Sequence, residues 1–426
     1  MKAIKSLFGK VSGKSPAPLG TQPITTETLR QLFPIRNLSE EILQTFAAEN
    51  HVETYSAGRT LFSVNEPSTC AIFLLDGTVI LADQHGKGYE ISAGSAQAKF
   101  PICSGAKQTA TATAKTDISI LRVSLKIMLT SGRFDHGKLD VPEDLQGNRL
   151  LSLFADHFQH HHHELEIPSL PEVAIKLRQA IQKDVNIDDA VKIIQLDPAI
   201  SAKLIEVANC PLYLTTVPAK NCKDAVIRIG LNATRSLVTA LSIKQIFKSK
   251  SPLLKTYLED LWKQSLYLSS LCHVLASHSQ QQNPEDALLA GLTCDIGVIP
   301  FLSFVADLPL EYHNETEIEQ AIPVVRAPVG AVVLKEWDFA DEFIQAAKHS
   351  SDWFHASGDT LTLTDIVVLS RLHALIGKKA NADLPAISAI PAAAKLKTFS
   401  LSPENTLAIL HDAKAKIQEA LNTFIT

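Results

Sequence analysis

The feature that most constrains this chain is a change of hydrophobic period part-way along it. Up to about residue 128, apolar residues come in short, glycine-punctuated runs that alternate with polar ones, the period of half-buried strands. After Pro168 the spacing becomes three and four and stays so through Leu372, which is the spacing of amphipathic helices. Two periods in one chain predict two cores, and 426 residues are enough to bury both. The expected fold class is α+β multidomain, a β body first and an all-α body second.

Ala71–Leu81 reads AIFLLDGTVIL, two apolar runs joined by Asp76-Gly77. That pair suits a type I′ turn, whose two central residues need positive φ, so the segment predicts a β-hairpin. Gly86, Gly88, Gly94 and Gly105 punctuate further short segments, Thr109–Ala114 alternates Thr and Ala, and Ile118–Val123 reads ISILRV. Ser39, followed by Glu40 and Glu41, marks a helix start ahead of these strands.

Before this body lies a basic leader, with Lys2, Lys5, Lys10 and Lys14 and no acidic residue until Glu27. A flexible tail is expected there, an amphipathic membrane tether being the alternative. After the body, Gly132, Gly137, Pro142, Gly147 and the run His160–His163 mark a linker. Four adjacent imidazoles on a helix diverge, so the run does not converge on a metal. The divisions are a leader at 1–30, the β body at 31–130, the linker at 131–164, the helical domain at 165–375 and a terminal segment at 376–426.

Within the helical part, Ile187–Leu196 predicts one helix and Asp197-Pro198 starts the next, Asp as cap and Pro at the first position, where a missing N–H costs nothing. Ile200, Leu204 and Val207 line one face of it. From Ser402-Pro403, a stripe of Leu407, Leu410, Ile417, Leu421 and Phe424 needs a partner surface, on the helical domain or on another chain.

Composition excludes several classes. A net charge of -5 gives no drive toward a polyanion, so nucleic acid is not an expected partner. Six cysteines without metal-like spacing (Cys70, Cys103, Cys210, Cys222, Cys272, Cys294) are read as reduced thiols, no apolar run approaches the roughly 18 residues of a membrane span, and a cytoplasmic location is expected.

Residues from about Leu38 to Ile127 resemble a cyclic-nucleotide-binding domain of the catabolite-activator type, on FLLDGTVIL, the later Gly94 and the closing TATATAKTDISILRV. The resemblance implies a β-roll that takes the ligand's ribose with a Gly-Glu pair and its phosphate with an Arg. Those positions here are Ala98, Lys99 and Gln108. A glutamine amide supplies no charge-assisted hydrogen bond, so phosphate recognition is expected to be lost. The roll then serves as a scaffold or a dimerisation surface.

Residues from about Ile167 to Leu372 resemble the HDOD family, a branch of the HD phosphohydrolase superfamily found in bacterial signalling proteins. The resemblance rests on IPSLPEV (Ile167–Val173), LDPAISAKLIEVAN (Leu196–Asn209), DAVIRIGLNATRSLV (Asp224–Val238), LWKQS (Leu261–Ser265), GLTCDIG (Gly291–Gly297) and VGAVVLKEW (Val329–Trp337). Catalytic members of the superfamily hold divalent metals with His and Asp, and the metal generates hydroxide for phosphoester attack. At the matching positions this chain has Gln264, Cys294 followed by Asp295, Arg326 and, near the end, Arg371. Arginine has no acceptor, and a unit charge 4 Å from a divalent ion costs about 8 kcal/mol at an effective dielectric of 20. An Asp295–Arg326 salt bridge in place of the metal is expected. His349 is read as structural.

The expectation is therefore a bacterial signal-transduction protein without catalytic, metal or cofactor residues, acting through protein–protein contacts. Signalling proteins, a second copy of the chain, or a small anion drawn by Arg326 and Arg371 are the partners expected. The alternative is a metal-dependent HD-type phosphohydrolase acting on a nucleotide or phosphoester. A transcription regulator lacks the clustered basic helix-turn-helix it would need, and Cys294 lacks the elbow and base of a nucleophilic hydrolase.

Overall fold

A computed structural model describes residues 18–126, 128, 139, 141–160, 167–181, 185–210, 213, 217–247, 251–376, 383–413 and 417. They fall in two compact units, one made of Met1–Arg133 with Ser351–Asp412 and the other of Phe134–Ser350 with Ala413–Thr426. Lys2 to Lys14, His161 to His163, Leu421 and Phe424 lie outside the described residues.

The first unit holds eight described strands: β1 Gly20–Pro23, β2 His51–Tyr55, β3 Thr60–Phe62, β4 Cys70–Asp76, β5 Thr78–Ala82, β6 Gly88–Ser92, β7 Thr111–Ala114 and β8 Ile118–Ser124. They form two antiparallel four-stranded sheets, ordered β1-β2-β8-β4 and β3-β7-β5-β6. Alternation decides which side chains enter the core. Ala112 and Ala114 of β7, Val79 and Leu81 of β5 and Ile118 and Ile120 of β8 are buried, while Thr111 and Thr113 are only half-buried.

Three expectations need correction here. The Asp76-Gly77 turn is not a hairpin: β4 pairs with β8, and β5 with β6 and β7, so the turn carries the chain from one sheet to the other. Gly77 is still required, because its φ is 81° and a Cβ would meet the carbonyl oxygen of Asp117 at 2.2 Å. Residues read as leader also belong to the fold. β1 pairs with β2, and α1 (Thr26–Leu29) follows, capped by Thr25 and burying Leu29. Ser39 does precede α2 (Glu40–Glu49), but its side chain makes no capping bond.

The third correction concerns the end of the helical domain. After the expected helical region comes α14 (Leu363–Leu375), numbered in chain order with the helices below, and it groups with the strands instead. Leu363–Leu372 are all buried, so this helix is enclosed on every side, and a stripe could not reveal which unit encloses it. Its N-terminus carries a capping box between Thr362 and Asp365. Two 3-10 turns, Ile387–Ala389 and Pro391–Lys395, pack on it, and α15 (Ala408–Asp412) follows, with Leu407 and Leu410 buried.

The second unit is helical. Its elements are α3 Arg149–His160, α4 Glu172–Ile181, α5 Ile187–Ile194, α6 Pro198–Ala208, α7 Cys222–Ile229, α8 Leu231–Ile243, α9 Pro252–Ser279, α10 Pro284–Thr293, α11 Val298–Asp307, α12 Glu315–Glu336 and α13 Asp341–Lys348. Asp197 caps α6 as its sequence predicts, its Oδ1 accepting from the N–H groups of Ala199 (2.9 Å) and Ile200 (3.1 Å). The expected linker is partly helix: α3 buries Leu150, Leu151, Phe154 and Phe158, with Phe154 edge-on to Phe301 of α11 at 5.2 Å. His160, at its end, is exposed and pairs with Asp156 at 3.1 Å.

Pro284–Asp307 overturns the reading that no segment is apolar enough to span a membrane. Its mean hydropathy peaks at 2.0, and it passes on length and composition alone. In the fold it is two helices, α10 and α11, and 89% of that window is buried in the protein's own core.

Candidate functional site

Of the residues expected at the metal position, Cys294, Asp295 and Arg326 sit where α10, α11 and α12 meet. Two glycines of GLTCDIG bring those helices close. A Cβ on Gly291 would meet Sγ of Cys272 and Cα of Ser269, both at 2.8 Å, so α10 lies directly on α9. A Cβ on Gly297 would meet the backbone N of Gly330 at 2.2 Å and the carbonyl O of Arg326 at 2.5 Å, so the start of α11 lies directly on α12. Only a residue without a side chain fits either crossing.

That second contact places Asp295, in the turn before α11, beside Arg326. Asp295 Oδ1 is 3.5 Å from Arg326 Nε, with side-chain exposures of 7% and 19%. The distance is that of an ion pair and is long for a hydrogen bond. Cys294 is fully buried and its Sγ lies 3.2 Å from the carbonyl O of Gly291. Gln264 is exposed on α9, unlike Cys294 and Asp295, while its neighbour Ser265 is buried. His349 is buried at the end of α13, its backbone N–H bonded to Gln345 O. Arg371 is buried on α14, in the other unit.

These positions do not fit a divalent ion. One carboxylate already faces a guanidinium, the thiol is turned to a backbone carbonyl, and the amide faces solvent. Arg326 would put a fixed positive charge against any cation held by Asp295. No metal-generated hydroxide can be derived from this set.

Sequence reasoning passed over a second buried ionisable cluster in the same unit. His273 Nε2 of α9 lies 3.7 Å from Glu285 Oε1 of α10, and the ring of Tyr213 stands edge-on to the imidazole at 5.8 Å. Burial pushes the Glu285 carboxyl up, but the neighbouring His273 imidazole more than offsets this and holds it below the usual range. The i, i+3/i+4 apolar stripe hides such a cluster, because its members are far apart in sequence.

In the roll, Ala98 is buried in a 3-10 turn, Gln97–Lys99. Lys99 Nζ bonds to Asp383 Oδ1 at 2.8 Å, and Gln108 is buried, its backbone N–H donating to Glu66 O and its carbonyl accepting from Asn65 N–H. Of the three expected ligand positions, Lys99 bonds to the chain's own C-terminal segment, Ala98 shares a core cluster with it, and Gln108 faces it across a small cavity. Ala386 and Ala389 join the roll's apolar core along with Ala98, Val79 and Ile91. Tyr89 OH and Ser388 Oγ are 2.6 Å apart, Ser104 Oγ donates to Ala389 O at 2.6 Å, and Thr109 Oγ1 donates to Ser388 O.

The cavity beside Gln108 is small. It measures about 40 Å³ and lies between Asn65, Gln84, Lys107, Gln108, Ala393 and Leu396. It suits a few waters, whereas small-molecule sites run to roughly 300 Å³ or more. Burial raises the Tyr89 hydroxyl well above its ordinary pKa and pushes the Cys103 thiol, beside Gln108, up to about 12. Neither is a nucleophile or base at neutral pH.

Comparison with known proteins bears on the helical part. Residues 167–353 match the HDOD domain family. Residues 167–353 are an HDOD domain. A candidate metal-dependent phosphohydrolase from Shewanella amazonensis SB2B is 25% identical, over 66% of this chain and all of that one, with a TM-score of 0.55. An uncharacterized protein of Treponema pallidum is 22% identical over 219 residues, 49% of this chain. The chain spans 42% of that relative's length. A structure similar to the N-terminal region is a candidate cyclic-nucleotide-binding protein from Geobacter metallireducens, 18% identical, over 26% of this chain and 82% of that one, TM-score 0.21. The HDOD domain places the helical unit in the HD superfamily.

Proposed function

We propose that this chain is a signal-transduction protein that works through protein–protein contacts and has lost the hydrolytic chemistry of the HD superfamily. The observation that carries the reading is the Asp295–Arg326 pair, which sets a guanidinium against the one carboxylate left at the metal position. A partner signalling protein is what such a domain would engage, and the roll, whose apolar core takes in the chain's own C-terminal segment, supports a scaffolding part for the first unit.

The similarity to the Shewanella protein, named for metal-dependent phosphoester chemistry, favours a second reading: a phosphohydrolase acting on a nucleotide or phosphoester. That reading needs a ligand set that excludes Arg326. A phosphodiesterase and phosphatase screen with added manganese and magnesium separates the two. No turnover is expected. Turnover abolished by Asp295→Ala would establish the enzyme and overturn the proposal.

A further inference from the structure

The C-terminal segment meets the roll in a manner unlike the roll's own strands. It runs as two 3-10 turns, and no residue of it enters the ladders of either sheet. The roll instead reaches it with side chains: the hydroxyls of Tyr89, Ser104 and Thr109 converge on Ser388 and Ala389. Two of those hydroxyls donate to main-chain carbonyls, so the segment is held by side chains and not by strand pairing. The segment enters the roll's apolar cluster only through the small side chains Ala386 and Ala389, while Ile387 and Ile390, also buried, lie outside that cluster. The fit is incomplete, since a polar-lined cavity remains between Gln108 and Leu396.

Asp83 of the roll accepts from Leu401 N–H at 2.9 Å, and a further hold on the segment lies at α14. Lys395 Nζ lies 3.0 Å from each carboxylate oxygen of Asp365 and 2.6 Å from Ser357 Oγ. The pair is nearly sealed from water, with side-chain exposures of 9% and 2%. Outside it, Lys99–Asp383 is an exposed pair that contributes little.

We propose that the roll's cleft is a peptide-binding site whose resident occupant is the chain's own segment Asp383–Leu401. The ligand class is a short apolar peptide of small residues, Leu384 to Lys395 in sequence, read at two carbonyls by Ser104 and Thr109 and latched by one lysine. A partner carrying such a peptide would enter by displacing the resident, and Lys395 is the latch it must outcompete. Intramolecular occupancy favours the resident through its high effective concentration, so the site is closed by default.

The test uses the full-length chain and a labelled synthetic peptide of residues 383–401. Lys395→Met removes the latch charge and keeps the aliphatic stem. Its expected result is at least tenfold tighter peptide binding than wild type, with hydrogen exchange rising across 383–401 while β2, β4 and β8 keep their protection. Adding Gly105→Leu to Lys395→Met should abolish that binding, since a Cβ there would already meet Ala394 Cβ at 2.8 Å. If the segment and the strands instead lose protection together in Lys395→Met, the segment is an inseparable part of the roll's core and the proposal fails. It fails equally if the segment alone is released and no peptide binds.

Discussion

The two units differ in what meets the positions where the resemblances put ligands. In the helical unit the contact is electrostatic and local: one arginine on α12 stands 3.5 Å from the carboxylate of Asp295 in the turn before α11, and the close crossing at Gly297 sets the two helices together. In the roll it is a separate stretch of chain, brought from beyond α14 and held by hydroxyl-to-carbonyl bonds and one buried lysine. A substituted side chain changes a site permanently, whereas a docked segment changes it only while docked. The comparison teaches that a departure from a family's ligand residues need not mean the same thing in both halves of a protein.

The largest expected effect sharpens this contrast. Removing one partner of a buried ion pair leaves the other uncompensated, which typically costs about 3–5 kcal/mol. Lys395→Met should therefore lower the free energy of opening the 383–401 segment by about 3 kcal/mol, read by hydrogen exchange on that segment's amides against those of β2, β4 and β8. A loss below about 1 kcal/mol would mean that the latch is no stronger than a surface pair.

Gly297→Ala should come next, at about 1–3 kcal/mol, because its Cβ would press on backbone atoms of α12 that cannot rotate away. Gly147→Ala, with nothing within 4 Å, is the matched control in the same unit. Thermal unfolding that shows equal effects for the two would break the argument that close crossing positions Asp295.

Smaller still is the coupling between Asp295 and Arg326. A double-mutant cycle with alanines should return about 1 kcal/mol, as contacting charged neighbours do. Zero coupling would show that the pair does not hold the old metal position together.

The last effect is a pH dependence. Glu285 has a folded pKa held below its ordinary value of 4.5, so its contribution is fully present above that value and is lost as pH falls through the depressed one. Helical-unit stability should then fall on acidification through that window, and Glu285→Gln should flatten the slope. An unchanged slope would remove the His273–Glu285 cluster from the account.

Much of the helical unit was legible because helix signals are local. Asp197-Pro198 carries its cap and its first turn in adjacent residues, and the alternation of Thr111–Ala114 names its own buried face. Partnership is not local. Asp76-Gly77 announces a positive φ at Gly77 but says nothing of which strand each arm joins, so a sheet-to-sheet turn reads as a hairpin. The same limit hid the destination of α14 and of Ala386 and Ala389, whose small side chains leave no periodic trace. Arg326 beside Asp295 was readable because an arginine at a metal position has one obvious partner, whereas Gln264 faces solvent where the resemblance put a ligand.

The central claim is that the helical unit holds no metal through Asp295. Manganese titrated into the purified full-length protein and into its Asp295→Ala variant, with bound metal counted by elemental analysis, tests it most directly. The account predicts the same metal content in both proteins and no Asp295-dependent binding. One equivalent bound by the wild type and lost in Asp295→Ala would contradict it and return the site to hydrolytic chemistry.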